Sequence, residues 1–168
     1  MKKNKGYSLI EAIVYLAIFG TLSVLVINSF LVVLSSFNRS RINSNLAESG
    51  ASAMERMSRE IRQAKNIDTT NSVLNSSFGT LQLNSTNSSN VAKIEKFNVS
   101  NGDLNLYEDD VLVGNLLGQK VDITSFIVRR ITTVEGEAVK IEMTLQNTGS
   151  TTIATANFYN TIILRGSY

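Results

Sequence analysis

The chain changes from basic to apolar at Gly6-Tyr7-Ser8-Leu9-Ile10-Glu11-Ala12. Three lysines precede this segment, and the next charged residue after Glu11 is Arg39. A helix over the uncharged stretch 12–38 would be about 40 Å long, which is enough to cross a bilayer. The sequence therefore predicts a membrane-spanning helix that carries a single carboxylate at its start.

This segment differs from an ordinary secretory signal. Such signals have a basic start, an apolar centre of about 7 to 15 residues and a small-residue cleavage site after that centre. Here the apolar run is longer, and it ends in Ser35-Ser36-Phe37-Asn38-Arg39, which is not a cleavage site of that kind. The small residue Gly6 comes before the apolar run, so a cut at Gly6 would leave the helix on the mature chain as an anchor.

The lysine-rich leader, Gly6, the aromatic Tyr7 and the segment Ser8–Ala12 resemble the cleavage and methylation region of type IV prepilins and type II secretion pseudopilins. The resemblance implies that a prepilin peptidase cuts after Gly6 and that the new N-terminal amine of Tyr7 is methylated. It also implies that Glu11 acts in filament assembly by pairing with the N-terminal amine of a neighbouring subunit. Gly20 matches a glycine at which helices of this family loosen, whereas the proline of typical members is missing from this chain.

Glu11 also has an interpretation that depends only on local helix chemistry. Ser8 and Glu11 have the spacing of a capping box, and an acidic first turn suits the positive end of the helix dipole. A carboxylate carried into lipid is costly and tends to find a partner or to face a protein interior, which favours the filament role. The two roles are compatible, and the sequence leaves both open.

The lysines predict the orientation of the helix, because basic residues favour the cytoplasmic side of a membrane. The leader would lie in the cytoplasm, and everything after Phe37 would lie outside the inner membrane. The apolar run also contains small and polar residues, namely Gly20, Thr21, Ser23, Asn28 and Ser29. Such residues suit close packing between helices, although an ordinary single-span helix tolerates them as well.

The helical period continues beyond the predicted membrane span. Apolar or small residues recur at three- and four-residue steps: Leu46, Gly50, Ala53, Met57, Ile61 and Ala64, with Met54 beside them. Charged residues occupy the opposite surface and are expected to face solvent: Glu48, Glu55, Arg56, Arg59, Glu60, Arg62 and Lys65. We predict a continuous helix from Ser8 to about Lys65 whose apolar stripe docks against a sheet. The run 54–64 loosely resembles the stalk-to-domain segment of minor pilins and J-type pseudopilins.

After Lys65, short β-like runs alternate with turn residues. The candidate strands are Thr80–Leu83, Val91–Val99, Leu104–Tyr107, Val111–Leu116, Val121–Ile131, Ala138–Gln146 and Asn157–Leu164. Asn101-Gly102 predicts a hairpin turn and Glu108-Asp109-Asp110 a second reversal, so we expect an antiparallel meander. Two polar tracts, Asn71–Ser77 and Asn84–Asn90, are predicted to be exposed loops.

These patterns predict an α+β fold in which a long N-terminal helix packs on a C-terminal antiparallel β-sheet head, as in type IV pilins. The predicted organisation is a leader at 1–6 and a transmembrane or filament-core helix at 7–38. The amphipathic half of the same helix follows at 39–65, and a β-rich globular head occupies 66–168.

The composition removes most kinds of enzyme. The chain has no cysteine and no histidine, which excludes Cys/His zinc sites, Cys-His nucleophiles and Ser-His-Asp triads. We therefore expect no catalytic residue, no cofactor and no metal. Two weaker alternatives use carboxylates. One is a calcium site at Glu108-Asp109-Asp110, whose spacing matches no calcium loop, and the other is an anchored hydrolase that uses Asp109 and Asp110.

The charge balance gives no support to nucleic-acid binding. The net charge is +2, and it falls close to zero once the leader lysines are removed. The basic residues between Arg56 and Lys65 are interleaved with Glu60, so they do not form a broad positive surface.

The resemblance implies a structural subunit, specifically a minor pilin or pseudopilin of a type IV pilus or type II secretion-like filament. Its partners would be other pilin subunits, the prepilin peptidase, an inner-membrane assembly platform and, before assembly, membrane lipid. The protein would move from the inner membrane into an extracellular or periplasmic filament. The alternative is a single-pass membrane-anchored protein whose extracellular head serves binding or adhesion and whose prepilin-like motif is accidental.

Overall fold

A computed structural model describes residues 8–87, 89–133, 136–150 and 153–165 of the chain. The chain forms two compact units, Met1–Arg41 and Ile42–Tyr168. One helix, α1 (Leu9–Gln63), contributes residues to both units, and all described strands belong to the second. The predicted α+β class is confirmed, because a long N-terminal helix precedes a set of antiparallel strands.

Helix α1 begins immediately after Ser8, whose carbonyl accepts a hydrogen bond from the backbone N–H of Glu11 at 3.0 Å. The helix continues without interruption through Gly20. No proline is present to remove a backbone donor or to force a kink. The predicted continuous helix is therefore confirmed, with its end at Gln63.

The strands form two antiparallel sheets. The first sheet has the order β1 (Asn66–Ile67), β2 (Leu81–Thr86), β3 (Ala92–Ser100), β4 (Asp103–Glu108) and β5 (Val111–Asn115). The second has the order β6 (Val121–Thr133), β7 (Gly136–Asn147) and β8 (Thr155–Ile163). All seven predicted strands are present. The sequence did not predict the two-residue strand β1 or the division of the meander into two sheets.

Tight turns reverse the chain at both predicted positions. In the β3–β4 turn, Asn101 and Gly102 have φ angles of 54° and 85°. In the β4–β5 turn, Asp109 and Asp110 have φ angles of 49° and 64°. Two consecutive positive φ angles suit the twist of a two-residue hairpin loop, and Asn, Asp and Gly adopt them most readily. Both predicted reversals are confirmed.

The core of the second unit lies where the C-terminal part of α1 packs against both sheets. The whole predicted stripe is buried: Leu46, Gly50, Ala53, Met54, Met57, Ile61 and Ala64. The first sheet adds Leu81, Leu83, Phe97, Leu104 and Leu106, and the second adds Phe126, Val128, Val139, Ile141, Met143, Leu145 and Ile162. Gly50 allows the closest approach, because a Cβ at this position would lie 2.1 Å from Cζ of Phe158 in β8. The prediction that the stripe docks on a sheet is confirmed.

Two predictions about the surface are wrong. Glu60, expected to face solvent, is only 5% exposed, because this part of the helix packs on the first sheet next to Glu95 of β3; its carboxylate forms an ion pair with Arg56. The tract Asn84–Asn90, expected to be a loop, begins inside β2, and Ser85 is 4% exposed. Pairing with β3 satisfies the backbone of this polar tract as far as Thr86, so the tract enters the sheet in spite of its side chains.

Candidate functional site

Glu11 is the predicted site residue whose position the structure describes. It lies in the first turn of α1, and its residue is half-buried while most of its helical neighbours are exposed. Gly6 and Tyr7, the predicted cleavage and methylation residues, lie outside the described residues. The structure thus provides the geometry of the predicted assembly residue, and the processing residues remain predictions from the sequence.

The Glu11 carboxylate is held by a tyrosine of its own helix. Oε1 of Glu11 accepts a hydrogen bond from the Tyr15 hydroxyl, with 3.0 Å between the two oxygen atoms. The two residues are one helical turn apart, which is the spacing at which side chains of a helix meet. Sequence reasoning missed Tyr15, although the i, i+4 spacing of a tyrosine and a glutamate could have indicated the contact. The bond engages Oε1, and no described side chain donates to Oε2.

The helix that carries Glu11 is long and apolar enough to cross a membrane. An 18-residue window has a mean hydropathy of 2.3, and none of its residues is buried. Large apolar side chains such as Leu16, Phe19 and Val26 are mostly exposed. Exposure of so much apolar surface to water is unfavourable. We therefore expect lipid or another protein to cover it.

Hydroxyl groups in this apolar stretch form hydrogen bonds to the backbone of their own helix. Thr21, Ser23 and Ser29 each donate to the carbonyl four residues earlier, at 2.6, 2.8 and 2.9 Å. These bonds lower the cost of placing a hydroxyl in lipid. Apart from its chain neighbours and the adjacent backbone of its own helix, Gly20 has no described atom within 4 Å of the place where a Cβ would lie, so this position is open to the approach of a second helix.

The acidic trio of the head takes part in the β4–β5 hairpin. Oδ1 of Asp109 accepts a hydrogen bond from the backbone N–H of Ile94 at 2.9 Å. Oε1 of Glu108 lies 3.1 Å from Nζ of Lys93. Among the residues that the structure describes, no group of three or more His, Cys, Asp or Glu could hold a metal ion. These contacts connect Glu108 and Asp109 to β3, which gives the two carboxylates a structural role.

Comparison with known proteins identifies the N-terminal segment. Residues 1–27 match the family model described as the prokaryotic N-terminal methylation motif. Searches of curated proteins and of solved structures found no significant match. The matched residues include the leader, Gly6, Tyr7 and Glu11, and they extend into the apolar helix. The motif points to a structural protein with a membrane-anchoring helix. The chain therefore carries a prokaryotic N-terminal methylation motif, and this match supports the resemblance of its N-terminal segment to type IV prepilins and pseudopilins.

Proposed function

We propose that the protein is a structural subunit of a type IV pilus or type II secretion-like filament, matured by cleavage after Gly6 and methylation of Tyr7. One combined observation carries the proposal. The methylation motif runs directly into an uncovered apolar helix with a single carboxylate, Glu11, in its first turn. Lipid would cover this helix before assembly, and the helices of neighbouring subunits would cover it in the filament.

The proposal includes a subclass, a topology and partners. The protein would be a minor pilin or pseudopilin, with its leader in the cytoplasm and its head outside the inner membrane, as the leader lysines favour. Residues 7–38 would form the filament-core helix, 39–65 its amphipathic continuation and 66–168 the head. Partners would be other pilin subunits, the prepilin peptidase and an inner-membrane assembly platform.

Glu11 would pair with the N-terminal amine of a neighbouring subunit. A carboxylate in the apolar layer needs a donor at every stage, because an unpaired charge there is costly. Tyr15 supplies a neutral donor before assembly through its 3.0 Å hydrogen bond. Because this bond engages Oε1, Oε2 remains for the incoming amine. We therefore assign Tyr15 the role of a positioning residue for Glu11.

The face of the helix opposite Glu11 and Tyr15 also suits a neighbouring helix. A shallow apolar depression is lined by Leu9, Ala12, Ile13, Leu16 and Ala17. The two alanines let another helix approach closely, while the larger side chains supply contact area. A neighbouring helix seated there would cover apolar surface on the face opposite Glu11, so the subunit that supplies the amine would approach from the other side.

The N-terminal mass of the membrane-extracted protein tests maturation. The full chain would be expressed with and without a prepilin peptidase. The expected product with the peptidase begins at N-methyl-Tyr7, and the expected product without it retains Met1. An intact Met1 in both samples would contradict the filament proposal and favour the anchored binding protein.

Variants of the assembly residues test the roles of Glu11 and Tyr15. Glu11→Ala should be processed normally but should enter sheared filaments at least about tenfold less than the wild type, because a charged hydrogen-bonded pair is lost. Tyr15→Phe should reduce incorporation by a smaller factor, and Tyr159→Phe, at an exposed tyrosine of the head, should leave it unchanged. Normal incorporation of Glu11→Ala would refute the pairing role. Equal incorporation of the two tyrosine variants would remove the positioning role.

A further inference from the structure

Five charged side chains meet where the C-terminal part of α1 packs on the five-stranded sheet. Arg56 and Glu60 come from the helix, Lys93 and Glu95 from β3, and Glu108 from β4. Glu95 is 1% exposed, and Glu60 is almost as deeply buried. Neither the methylation motif nor the proposed filament role accounts for this buried cluster.

Strand register explains why charges reach the core face. Glu95 is paired with Leu83 of β2 on one side and with Glu108 of β4 on the other. Lys93 lies two residues before Glu95, on the same face of β3, and is paired with Ser85 of β2. The inner face of the sheet therefore changes from apolar to charged toward this end. Strand β2 contributes a hydroxyl here and no ionisable group.

The cations of the cluster bridge its carboxylates. Nζ of Lys93 lies 2.6 Å from Oε1 of Glu95 and 3.1 Å from Oε1 of Glu108. Nε of Arg56 lies 2.8 Å from Oε1 of Glu60, and its Nη2 lies 4.0 Å from Oε1 of Glu108. Two cations thus face three carboxylates, which leaves one negative charge in excess when all five groups are ionised.

Two of these carboxyl groups also face each other. Glu60 is near enough to Glu95 to raise the pKa of that carboxyl, and Oε2 of Glu95 is buried with no hydrogen-bond partner in the described part of the chain. Ionised carboxylates in contact repel each other, and burial removes the water that would weaken the repulsion. A proton on one of the groups replaces the repulsion with an O–H···O hydrogen bond.

We propose that Glu60 and Glu95 form a buried proton-binding site, in which a proton on Glu95 is shared with Glu60 while the helix is docked on the five-stranded sheet. The reaction is an acid–base equilibrium in which the O–H bond breaks and the proton passes to water. With the proton bound, the two cations balance the two remaining carboxylates. Its loss leaves the excess negative charge between the helix and the sheet and weakens their docking. The proposal concerns the head and does not depend on the proposed filament role.

The electrostatics of the cluster support proton binding near neutral pH. Burial raises the pKa of Glu95 to about 7; the Lys93 ammonium opposes this rise, and the neighbouring Glu60 adds to it. Burial alone would lower the pKa of Lys93, but its hydrogen bonds to Glu95 and Glu108 raise it instead. Lys93 therefore stays charged while Glu95 titrates.

The sign of the pH dependence follows from the raised pKa. The ordinary glutamate pKa is 4.5, so between pH 4.5 and about 7 the folded head holds a proton that the unfolded chain releases. The stabilisation is fully present below pH 4.5 and is lost as the pH rises through about 7. In this window the unfolding equilibrium constant should rise by up to about tenfold for each pH unit.

Thermal unfolding of the full chain in detergent tests the site, with near-ultraviolet circular dichroism of the tyrosines as the readout. The wild-type Tm should fall as the pH rises from about 5 to about 8. The amide of Glu95→Gln keeps a hydrogen-bond donor for Glu60 but cannot ionise. The Tm of this variant should therefore not fall over the same pH range, and at about pH 8 it should exceed the wild-type Tm. Glu142→Gln is the matched control. Glu142 lies in the other sheet beside Arg129 and Lys140. Its replacement by glutamine should leave the dependence of Tm on pH as it is in the wild type.

A second measurement does not require a variant that folds. Carboxyl ¹³C NMR of the glutamate-labelled wild-type chain should show one glutamate with a midpoint near neutral pH. The proposal is overturned if every glutamate titrates in the ordinary acidic range. It is also overturned if the wild-type Tm does not fall as the pH rises, or if the Tm of Glu95→Gln falls as steeply as that of the wild type.

Discussion

Gly50→Ala should destabilise the head, even though alanine is the better residue for an isolated helix. The added Cβ would lie 2.1 Å from Cζ and 2.3 Å from Cε2 of Phe158. Non-bonded carbon atoms need about 3.5 Å. The aromatic ring, or the strand that carries it, must therefore move away by about 1.4 Å.

The expected loss of stability is the difference between two effects. Forcing an extra carbon into a packed core costs about 1–3 kcal/mol. Replacing glycine by alanine inside a helix contributes about 0.5–1 kcal/mol of stability. The difference spans about 0–2.5 kcal/mol, and the overlap of the Cβ with three ring atoms places the net loss at about 1–2 kcal/mol, which corresponds to a decrease in Tm of about 3–10 °C for a domain of this size.

The assay is thermal unfolding of the full chain in detergent, followed through the tertiary signal of the head. Gly20→Ala is the control, because no atom lies within 4 Å of its added Cβ, and it should leave the melting of the head unchanged. Adding Phe158→Leu to Gly50→Ala should restore part of the loss. A Gly50→Ala protein that melts at or above the wild-type temperature would refute the close contact between α1 and β8.

Two further substitutions test the turns of the head. Gly102→Ala should cost about 1–2 kcal/mol in urea unfolding, because its φ of 85° disfavours a Cβ, which would also lie 3.0 Å from Cγ of Asp122. Asp68 accepts hydrogen bonds from the side chain and backbone of Asn71, and these hold its pKa below the ordinary value. The stabilisation of the fold by the ionised Asp68 carboxylate is therefore present at neutral pH and is lost as the pH falls through the folded-state pKa of Asp68. Asp68→Asn should melt below the wild type at pH 7 and should match it in strong acid, whereas a gap that persists in acid would contradict this account.

Local periodicity predicted most of the fold. The three- and four-residue recurrence from Leu46 to Ala64 identified the buried stripe, because a helix presents such residues on one face. Asn101-Gly102 and Asp109-Asp110 identified two hairpins, since few other residues accept consecutive positive φ angles. Strand β1 was missed because two residues form too short a pattern to be seen. The separation into two sheets depends on which strands pair, and local alternation carries no such information.

The charged cluster shows why the rest could not be predicted. A strand prediction over Val91–Val99 does not determine which face of the strand is buried, and Lys93 and Glu95 would ordinarily indicate the solvent face. Glu60 was assigned to the solvated side of α1 because its partners in β3 are distant in sequence. Gly6, Tyr7 and Glu11 could be proposed as site residues from the sequence because they form a local motif, and the assembly role of Glu11 stays a prediction. The contact from Tyr15 was missed, and the processing roles of Gly6 and Tyr7 stay predictions.

The docking of β8 on α1 has a consequence for synthesis of the protein. Nδ2 of Asn160 donates to Oγ of Ser58 at 2.9 Å across 102 residues of sequence, and Phe158 packs on Gly50 nearby. The ribosome makes the helix before this strand, so the apolar stripe stays partly uncovered until β8 has been translated. A nascent or truncated chain without β8 would expose that stripe to chaperones and proteases. A protease-resistant head should therefore form only after β8 has been translated.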